Sequence, residues 1–391
     1  MTLEGEHMKK GQIILFSAII ICFWMGQYIY VPTLTPHAQS IGSSVTMLGL
    51  IGGTYGLMQF LTRIPIAIFS DMHNKRKSFV GVGMLFVVLS GLCFVTVKTP
   101  AGFLAARTLA GIAASFWAVF TVMFNSYFTN SVRAIGILNT CHMFGVTFSS
   151  LLGGFMSQHF GRNAPFVATI ALSLAGVVMT LFLKESKIES RPLKLPDLLE
   201  TGRDRTIIYL SVLGLAHQFV SFGSAYVFTP LVAKGLGMED AQLGVLTFLY
   251  TLPGIVSALL IGTNLFKKTG MMKVLGLSFV LMALSLVPVV YTHSLWVIYV
   301  AQLALGFGRG ISYSILLLLV VKSVPEGKKA TATGFYQAIY ALGMFLGPFL
   351  TGLISQNASF VPAYLIMGLI CIVSAGSIFV HERKAGHAKE V

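Results

Sequence analysis

Three arginines lie inside long apolar stretches of this sequence, at Arg63, Arg107 and Arg309. An arginine at the centre of a bilayer costs about 2.5–3.5 kcal/mol on insertion scales, so we expect none of the three to face lipid. The same stretches contain no aspartate or glutamate that could pair with them. Each guanidinium must therefore line a wet cavity, cap carbonyls, stack on aromatic rings or meet an anionic ligand. Arg63 is closest to the end of its stretch, and we expect it to extend toward the headgroups.

Arg309 has the strongest indication of a binding role. It lies near the middle of an apolar stretch, on one helical stripe with Gln302 and Tyr313. A guanidinium offers two parallel donors to a carboxylate or phosphate, which favours an anion clamp. A structural arginine that bonds to the backbone beside Gly308 and Gly310 explains the pattern equally well, and both interpretations stay open.

His142 and His217 are embedded groups that titrate near neutral pH. Either could carry a coupled proton or bind a substrate, and His217 shares a helical stripe with Ser221 and Ser224. A histidine that is satisfied by hydrogen bonds between helices is the commoner case, so the structural alternative is kept for both.

The composition indicates that membrane-spanning helices position these residues. Hydrophobic residues make up 55% of the 391 residues and charged residues 10%, against roughly a quarter charged in soluble proteins. The apolar runs are continuous and near 20 residues long, which favours helices over a β-barrel with its period of two. We predict an all-α membrane protein with twelve transmembrane helices, at 11–33, 46–70, 78–97, 101–124, 135–157, 164–183, 206–232, 241–266, 273–291, 294–321, 331–355 and 359–380.

The net charge of +14 reflects membrane topology and does not indicate nucleic-acid binding. With the N-terminus inside, the loops that would lie outside contain only Lys98, Arg162 and Lys234 as basic residues. This bias follows the positive-inside rule. It predicts a multi-pass protein of the cytoplasmic membrane with both termini in the cytoplasm. The four cysteines lack metal-site spacing, so neither a metal nor a cofactor is expected.

The two halves of the chain repeat each other. The glycine pattern of 136–154 returns 198 residues later in 334–352, and a constant offset between distant segments indicates a duplicated unit. We therefore predict two pseudo-symmetric six-helix bundles, at 1–183 and 206–391, joined by a cytoplasmic linker at 184–205. In a hydrophobic protein, such halves are typical of a transporter that rocks around a central site.

Two motifs resemble those of the major facilitator superfamily at matching positions. The loop after the second span has Asp71, Lys75 and Arg76 where that family's loop signature has an aspartate and two cations. The fourth span contains Arg107 in an Arg-x-x-x-Gly-x-x-Ala pattern similar to the family's. The resemblance implies that the first three residues gate the cytoplasmic side and that Arg107 takes part in proton coupling.

A third motif, in the fifth span, is similar to the family's antiporter motif. Its glycine spacing matches, but Ser149-Ser150 replaces the Gly-Pro pair, and an intact Gly347-Pro348 occurs in the eleventh span instead. Together the three motifs extend the resemblance over essentially the whole chain. The resemblance implies a twelve-helix transporter fold, and the misplaced Gly-Pro pair weakens the inference to antiport.

The resemblance also implies a central cavity lined by spans one, seven, eight and eleven. Tyrosines and glutamines in the middle of these spans suit an amphipathic pocket, although interhelical hydrogen bonding would explain any single one. The predicted substrate-binding residues are Arg309, Tyr313, Gln27, Tyr28, His217, Tyr226, Tyr250, Gln337 and Tyr340. The predicted coupling residues are Arg107, His142 and His217, and the predicted gating residues are Asp71, Lys75 and Arg76.

The sequence thus predicts a monomeric secondary active transporter that moves a small organic solute by alternating access. An electropositive cavity favours an anion, a zwitterion or a neutral amphiphile, because a cation exporter would normally need a buried carboxylate. The alternative is a drug or metabolite efflux antiporter with protons as the coupling ion. A membrane-embedded enzyme would need a catalytic set that no span supplies, and a non-transporting receptor would bind a ligand without moving it.

Overall fold

The computed structural model describes residues 3–73, 75–185, 196, 200–261, 270–325 and 328–390, and the regular elements in these ranges are helices. The first half contains α1a (Leu3–Tyr28), α1b (Val31–Ser40), α2 (Val45–His73), α3 (Arg76–Thr96), α4a (Pro100–Ser115), α4b (Trp117–Asn125), α5 (Ser131–Phe160) and α6 (Ala164–Leu181). The second half contains α7a (Arg205–Ser221), α7b (Thr229–Gly235), α8 (Asp240–Ile261), α9 (Met271–Tyr291), α10 (Leu295–Lys322), α11 (Lys329–Ser355) and α12 (Val361–Glu390).

The all-α fold class is confirmed. Within the described residues, eleven helices or broken helices are long and apolar enough to cross a membrane, and each overlaps a predicted span. Helix α8 occupies the place of the eighth span, whose last predicted residues, 262–266, lie outside the described residues, as does most of the predicted linker. We name the two ends of the bundle after the predicted orientation: the loop after α2 is at the inner end and the loop after α1b is at the outer end.

Helix pairs of the same half and of opposite halves pack through small residues. Between the halves, α2 runs along α11 and α8 runs along α5. A Cβ atom on Gly49 of α2 would lie 3.2 Å from the Cα of Gly352 on α11, and one on Gly154 of α5 would lie 2.7 Å from the Cα of Gly244 on α8. Because glycine has no Cβ, these backbones can approach closely in lipid, where burial of apolar surface gives no driving force between helices. The repeat therefore produces two equivalent seams between the halves.

Three spans are interrupted within their length. The first span breaks between α1a and α1b, the fourth breaks at Phe116, and the seventh contains a π-helical turn at Phe222–Tyr226 before α7b. The breaks in the first and seventh spans occupy equivalent places in the two halves, and the rings of Tyr28 and Tyr226 meet there with centroids 5.7 Å apart. Irregular turns inside membrane helices are tolerated where they line a cavity or are buried in protein, and π-turns are frequent at functional sites.

The tightest glycine contact within a half predicts a stability effect. A Cβ atom on Gly153 would overlap the carbonyl oxygen of Ile29, so Gly153→Ala must force α5 away from the first span. We expect a loss of about 1–3 kcal/mol, the usual cost of overpacking, measured as a lower thermal unfolding midpoint of the purified protein in detergent. Gly376→Ala on α12 is the control, because no described atom lies within 4 Å of the Cβ position there. Equal midpoints for the two variants would contradict the packing described.

Candidate functional site

Arg309 lies at mid-length of α10, half-buried between the two halves. The carbon of its guanidinium is 5.2 Å from the ring centroid of Tyr250 and 5.8 Å from that of Tyr226. Its buried Nε atom has no hydrogen-bond partner, and its guanidinium donates no hydrogen bond to any residue that the structure describes. The structural alternative, in which Arg309 bonds to backbone carbonyls beside Gly308 and Gly310, is therefore not what the structure contains.

Glycines on two helices place Arg309 against the tyrosines. A Cβ atom on Gly306 would overlap the carbonyl oxygen of Tyr250, and one on Gly310 would lie 2.8 Å from the Cα of Gly254. These close approaches, three residues before and one residue after Arg309, hold α10 against α8. The guanidinium lies beside Gly254, where a Cβ atom would be in van der Waals contact with Nη1 of Arg309, at 3.5 Å.

Aromatic rings form a continuous wall from Arg309 into the first half. Successive ring centroids are 5.1 Å apart from Tyr250 to Tyr226, 5.7 Å from Tyr226 to Tyr28, 5.9 Å from Tyr28 to Trp24, and 4.1 Å from Trp24 to His142. These separations are in the range of favourable aromatic pairs. We call these five residues the aromatic wall. The wall extends from the guanidinium of Arg309 in the second half to the imidazole of His142 in the first half.

Trp24, Trp117 and Phe222 belong to this region and were not among the sequence-predicted site residues. The ring of Trp117 is 5.1 Å from that of Trp24 and 5.5 Å from that of His142, and Phe222 is 4.9 Å from Tyr226. The prediction considered tyrosine and glutamine in mid-span and omitted aromatic residues without an acceptor. The sequence signal for these residues is a tryptophan inside an apolar span, at Trp24 and Trp117, since tryptophan is rare in this chain.

The two embedded histidines occupy different environments. His142 is half-buried and packs against Trp24 and Trp117, at the end of the aromatic wall opposite to Arg309. His217 is fully buried, and its Nδ1 is 2.8 Å from Oγ of Ser312 on α10. This interhelical hydrogen bond holds His217 inside the second half, which favours the structural interpretation for that residue.

Gln27, Tyr313 and Tyr340 surround the site without contacting Arg309 through hydrogen bonds. Gln27 is fully buried and donates from Nε2 to the carbonyl oxygen of Ala110, at 3.0 Å. Tyr313 is half-buried with its ring 6.1 Å from that of His217, and Tyr340 is 7% exposed. Of these three, Tyr313 is the one that the structure leaves most accessible from the space between the halves.

Arg63 and Gln337 form a bridge between the halves on the inner side of the aromatic wall. Nη1 of Arg63 donates to Oε1 of Gln337 on α11 at 3.1 Å, and Nη2 donates to Oε1 of Gln59, one turn earlier on α2. The expectation that Arg63 extends toward the headgroups is wrong, because the residue is 5% exposed. The amide oxygens of Gln59, four residues earlier on the same helix, and of Gln337, on the facing helix, accept the hydrogen bonds that water in the headgroup region would otherwise accept.

Arg107 has the partners that Arg309 lacks. Its Nη1 donates to the hydroxyl of Tyr30 at 2.9 Å, and its guanidinium carbon is 4.1 Å from the ring centroid of Tyr55. The residue is 3% exposed. A hydrogen bond and a close cation–π contact thus stabilise its charge inside the first half. Its role in coupling stays a prediction.

The predicted gating residues lie together at the inner end. Nη2 of Arg76 is 2.9 Å from Oδ1 of Asp71, and Lys75 directly precedes the first residue of α3. This ion pair connects α2 and α3, two helices of the same half. A gating role for the three residues therefore stays a prediction.

Comparisons with known proteins agree with this architecture. The family model described as Major Facilitator Superfamily matches residues 16–223 and 210–390. An uncharacterized MFS-type transporter of Methanocaldococcus jannaschii is 24% identical over 367 residues, which cover 89% of this chain and 92% of that protein. Multidrug resistance protein MdtG of Dickeya zeae is 24% identical over 384 residues, 92% of each chain. Among solved structures, a mutant of the nucleoside transporter NupG has a TM-score of 0.80 at 12% identity, covering 95% of this chain and 99% of that one.

Proposed function

The chain belongs to the major facilitator superfamily, and we propose that it moves a small organic anion or zwitterion across the membrane by alternating access. Proteins of this family are transporters and not enzymes. The activity to be explained is therefore the transfer of a solute through a bilayer. The observation that carries the proposal is the unpartnered guanidinium of Arg309 beside the aromatic wall.

The environment of Arg309 favours a ligand with a negative charge. A guanidinium has five N–H donors, and a buried donor without an acceptor costs about 1–3 kcal/mol. The rings of Tyr226 and Tyr250 offset part of the charge, since a desolvated cation–π contact contributes up to about 2 kcal/mol. Rings, however, accept none of the five hydrogen bonds in the guanidinium plane. A carboxylate or phosphate would accept two of them in parallel.

Charge selection follows from the same residues. The sequence has no aspartate or glutamate between positions 72 and 184 or between 241 and 325, which include most of the spans that form the site. In the low-dielectric interior, an organic cation would be repelled by Arg309 without a carboxylate to compensate. An anion, or the carboxylate of a zwitterion, would instead be attracted by Arg309.

The aromatic wall supports an amphipathic substrate. From Arg309 the wall leads over Tyr226 and Tyr28 to Trp24, and Trp117 extends it. Flat rings bind apolar or aromatic bodies by stacking, at a low cost in side-chain entropy. We therefore propose that the anionic group binds at Arg309 and that the body of the substrate lies against the tryptophans. A neutral amphiphile would use the wall alone and bind more weakly.

A proton-coupled efflux antiporter is the second candidate. MdtG, a relative of this chain, is named a multidrug resistance protein. Drug resistance by transport requires export against a concentration gradient. His142 is the titratable group that supports this candidate, because it is only half-buried and belongs to the aromatic wall. In an antiporter the proton and the substrate must exclude each other. A substrate body lying against Trp24 would remove water from the adjacent imidazole of His142 and so favour release of its proton.

The first functional prediction concerns Arg309→Gln. Loss of a charge-assisted hydrogen bond costs about 1.5–3 kcal/mol, so we expect the affinity for aromatic carboxylates to fall about tenfold or more. The measurement is a thermal-shift and direct binding screen of purified protein against carboxylates and against matched neutral amides. Lys322→Gln, which removes an exposed charge at the end of the same helix, is the control. Equal binding by both variants would refute the anion clamp.

The second functional prediction concerns proton coupling through His142. In proteoliposomes with an acidic lumen, wild-type protein should accumulate an aromatic carboxylate as protons leave, whereas His142→Gln should exchange the carboxylate without gradient-driven accumulation. His159→Gln on the same helix is the control, because His159 is exposed near the outer end. Gradient-driven accumulation that persists in His142→Gln would exclude this residue as the coupling group. A wild-type protein that ignores the gradient would exclude the antiporter candidate.

A further inference from the structure

Two glutamines at the outer end bind across the halves in matching ways. Oε1 of Gln356, directly after α11, accepts a hydrogen bond from the backbone N–H of Thr46 on α2 at 2.9 Å. Oε1 of Gln158, in the last turn of α5, accepts one from the backbone N–H of Ala241 on α8, also at 2.9 Å. Each glutamine thus connects one half of the protein to the other.

The two contacts are related by the internal repeat. Gln158 and Gln356 are 198 residues apart, the offset of the repeated fifth and eleventh spans, and Thr46 and Ala241 are 195 residues apart, the offset of the second and eighth spans. Thr46 and Ala241 are each the second residue of their helix. The same hydrogen bond therefore occurs twice, once in each seam between the halves.

The position of these N–H groups at a helix start explains why they are free to donate to a side chain of the other half. The first four N–H groups of a helix have no carbonyl within the helix, and the helix dipole makes that end positive. A side-chain oxygen at this place acts as a cap. A cap usually comes from the residue before the helix, whereas here it comes from the opposite half of the protein.

The glycine seams bring the caps within reach. Gly352 lies one turn before Gln356 and faces Gly49, which follows Thr46 by three residues; a Cβ on Gly352 would lie 3.1 Å from the Cα of Gly49. Gly154 and Gly244 have the same relation in the other seam. Nearer to the inner end, no described atom lies within 4 Å of a Cβ position on the repeat-related Gly136 or Gly334. The close packing of the repeated glycines is thus concentrated toward the outer end.

We propose that Gln158 and Gln356 form a paired outer lock, in which each side chain caps a helix of the opposite half and holds the outer side closed. The inference rests on the proposed alternating access, because the outer side can open only if both caps break. In the α5–α8 seam the lock is reinforced by hydrogen bonds from Ser157 to Asp240, at 2.6 Å, and from Nε2 of Gln158 to Glu239, at 2.6 Å.

If the lock exists, removing it should shift protein from the outer-closed to the outer-open state. Spin labels would be attached at Ser40→Cys and His293→Cys, which are exposed outer positions of opposite halves. The distance between the labels, measured in nanodiscs by pulsed electron paramagnetic resonance, would report opening of the outer side. The native cysteines Cys22, Cys93, Cys141 and Cys371 would be replaced. Gln356→Leu should raise the ratio of outer-open to outer-closed protein about fivefold, the effect of one net hydrogen bond. Gln158→Leu should raise it by more, because that variant also loses the hydrogen bond to Glu239. The double variant should approach the product, as independent sites do.

Two further variants separate a lock from a general packing effect. Gln356→Glu keeps the accepting oxygen at the helix start and should restore the wild-type ratio that Gln356→Leu loses. Gln39→Leu makes the same replacement at an exposed outer position and should leave the ratio unchanged. If the cap variants match Gln39→Leu while wild-type protein does populate the outer-open state, the lock is refuted. If no variant ever populates that state, alternating access is refuted and the lock with it.

Discussion

Positive charge in a bilayer without a carboxylate is the constraint on which the interior of this protein depends. Arg63, Arg107 and Arg309 lie in membrane helices, and each charge is accommodated differently. Arg63 binds two glutamine oxygens, and Arg107 binds a tyrosine hydroxyl and stacks on a ring. Arg309 has rings alone. The Nε atoms of all three arginines lack a partner, but Arg309 alone of the three makes no hydrogen bond through its guanidinium to a residue that the structure describes. This difference is why we propose that Arg309 binds the anion.

The internal repeat provides a scaffold whose chemistry differs between the halves. Tyr28 and Tyr226 meet at equivalent helix breaks, and the glycine seams pair α2 with α11 and α5 with α8 in the same geometry. Arg309 and His142, in contrast, lie at opposite ends of the aromatic wall, one in each half. Symmetric packing is suited to a rocking motion of two rigid bodies, whereas an asymmetric wall gives a substrate one orientation.

Much of the fold was predictable from the sequence, because apolar runs near 20 residues depend on local composition. The first span shows the limit: it was predicted to end at 33, whereas α1b continues to Ser40 after a break. The site was less predictable. Arg107 and Arg309 are both arginines inside apolar spans, and what separates them is the hydroxyl of Tyr30, 77 residues away from Arg107. The contact between Gln356 and Thr46 could not be predicted, since it depends on how closely glycines bring the two helices together.

The most direct test of the central claim is a structure of the protein with a halogenated aromatic carboxylate bound. The account predicts that the carboxylate lies within about 3 Å of the guanidinium nitrogens of Arg309, the distance of a charge-assisted hydrogen bond. It also predicts that the anomalous signal of the halogen lies beside Trp24 and Trp117. A carboxylate bound elsewhere, with the guanidinium of Arg309 engaged by backbone carbonyls, would contradict the account.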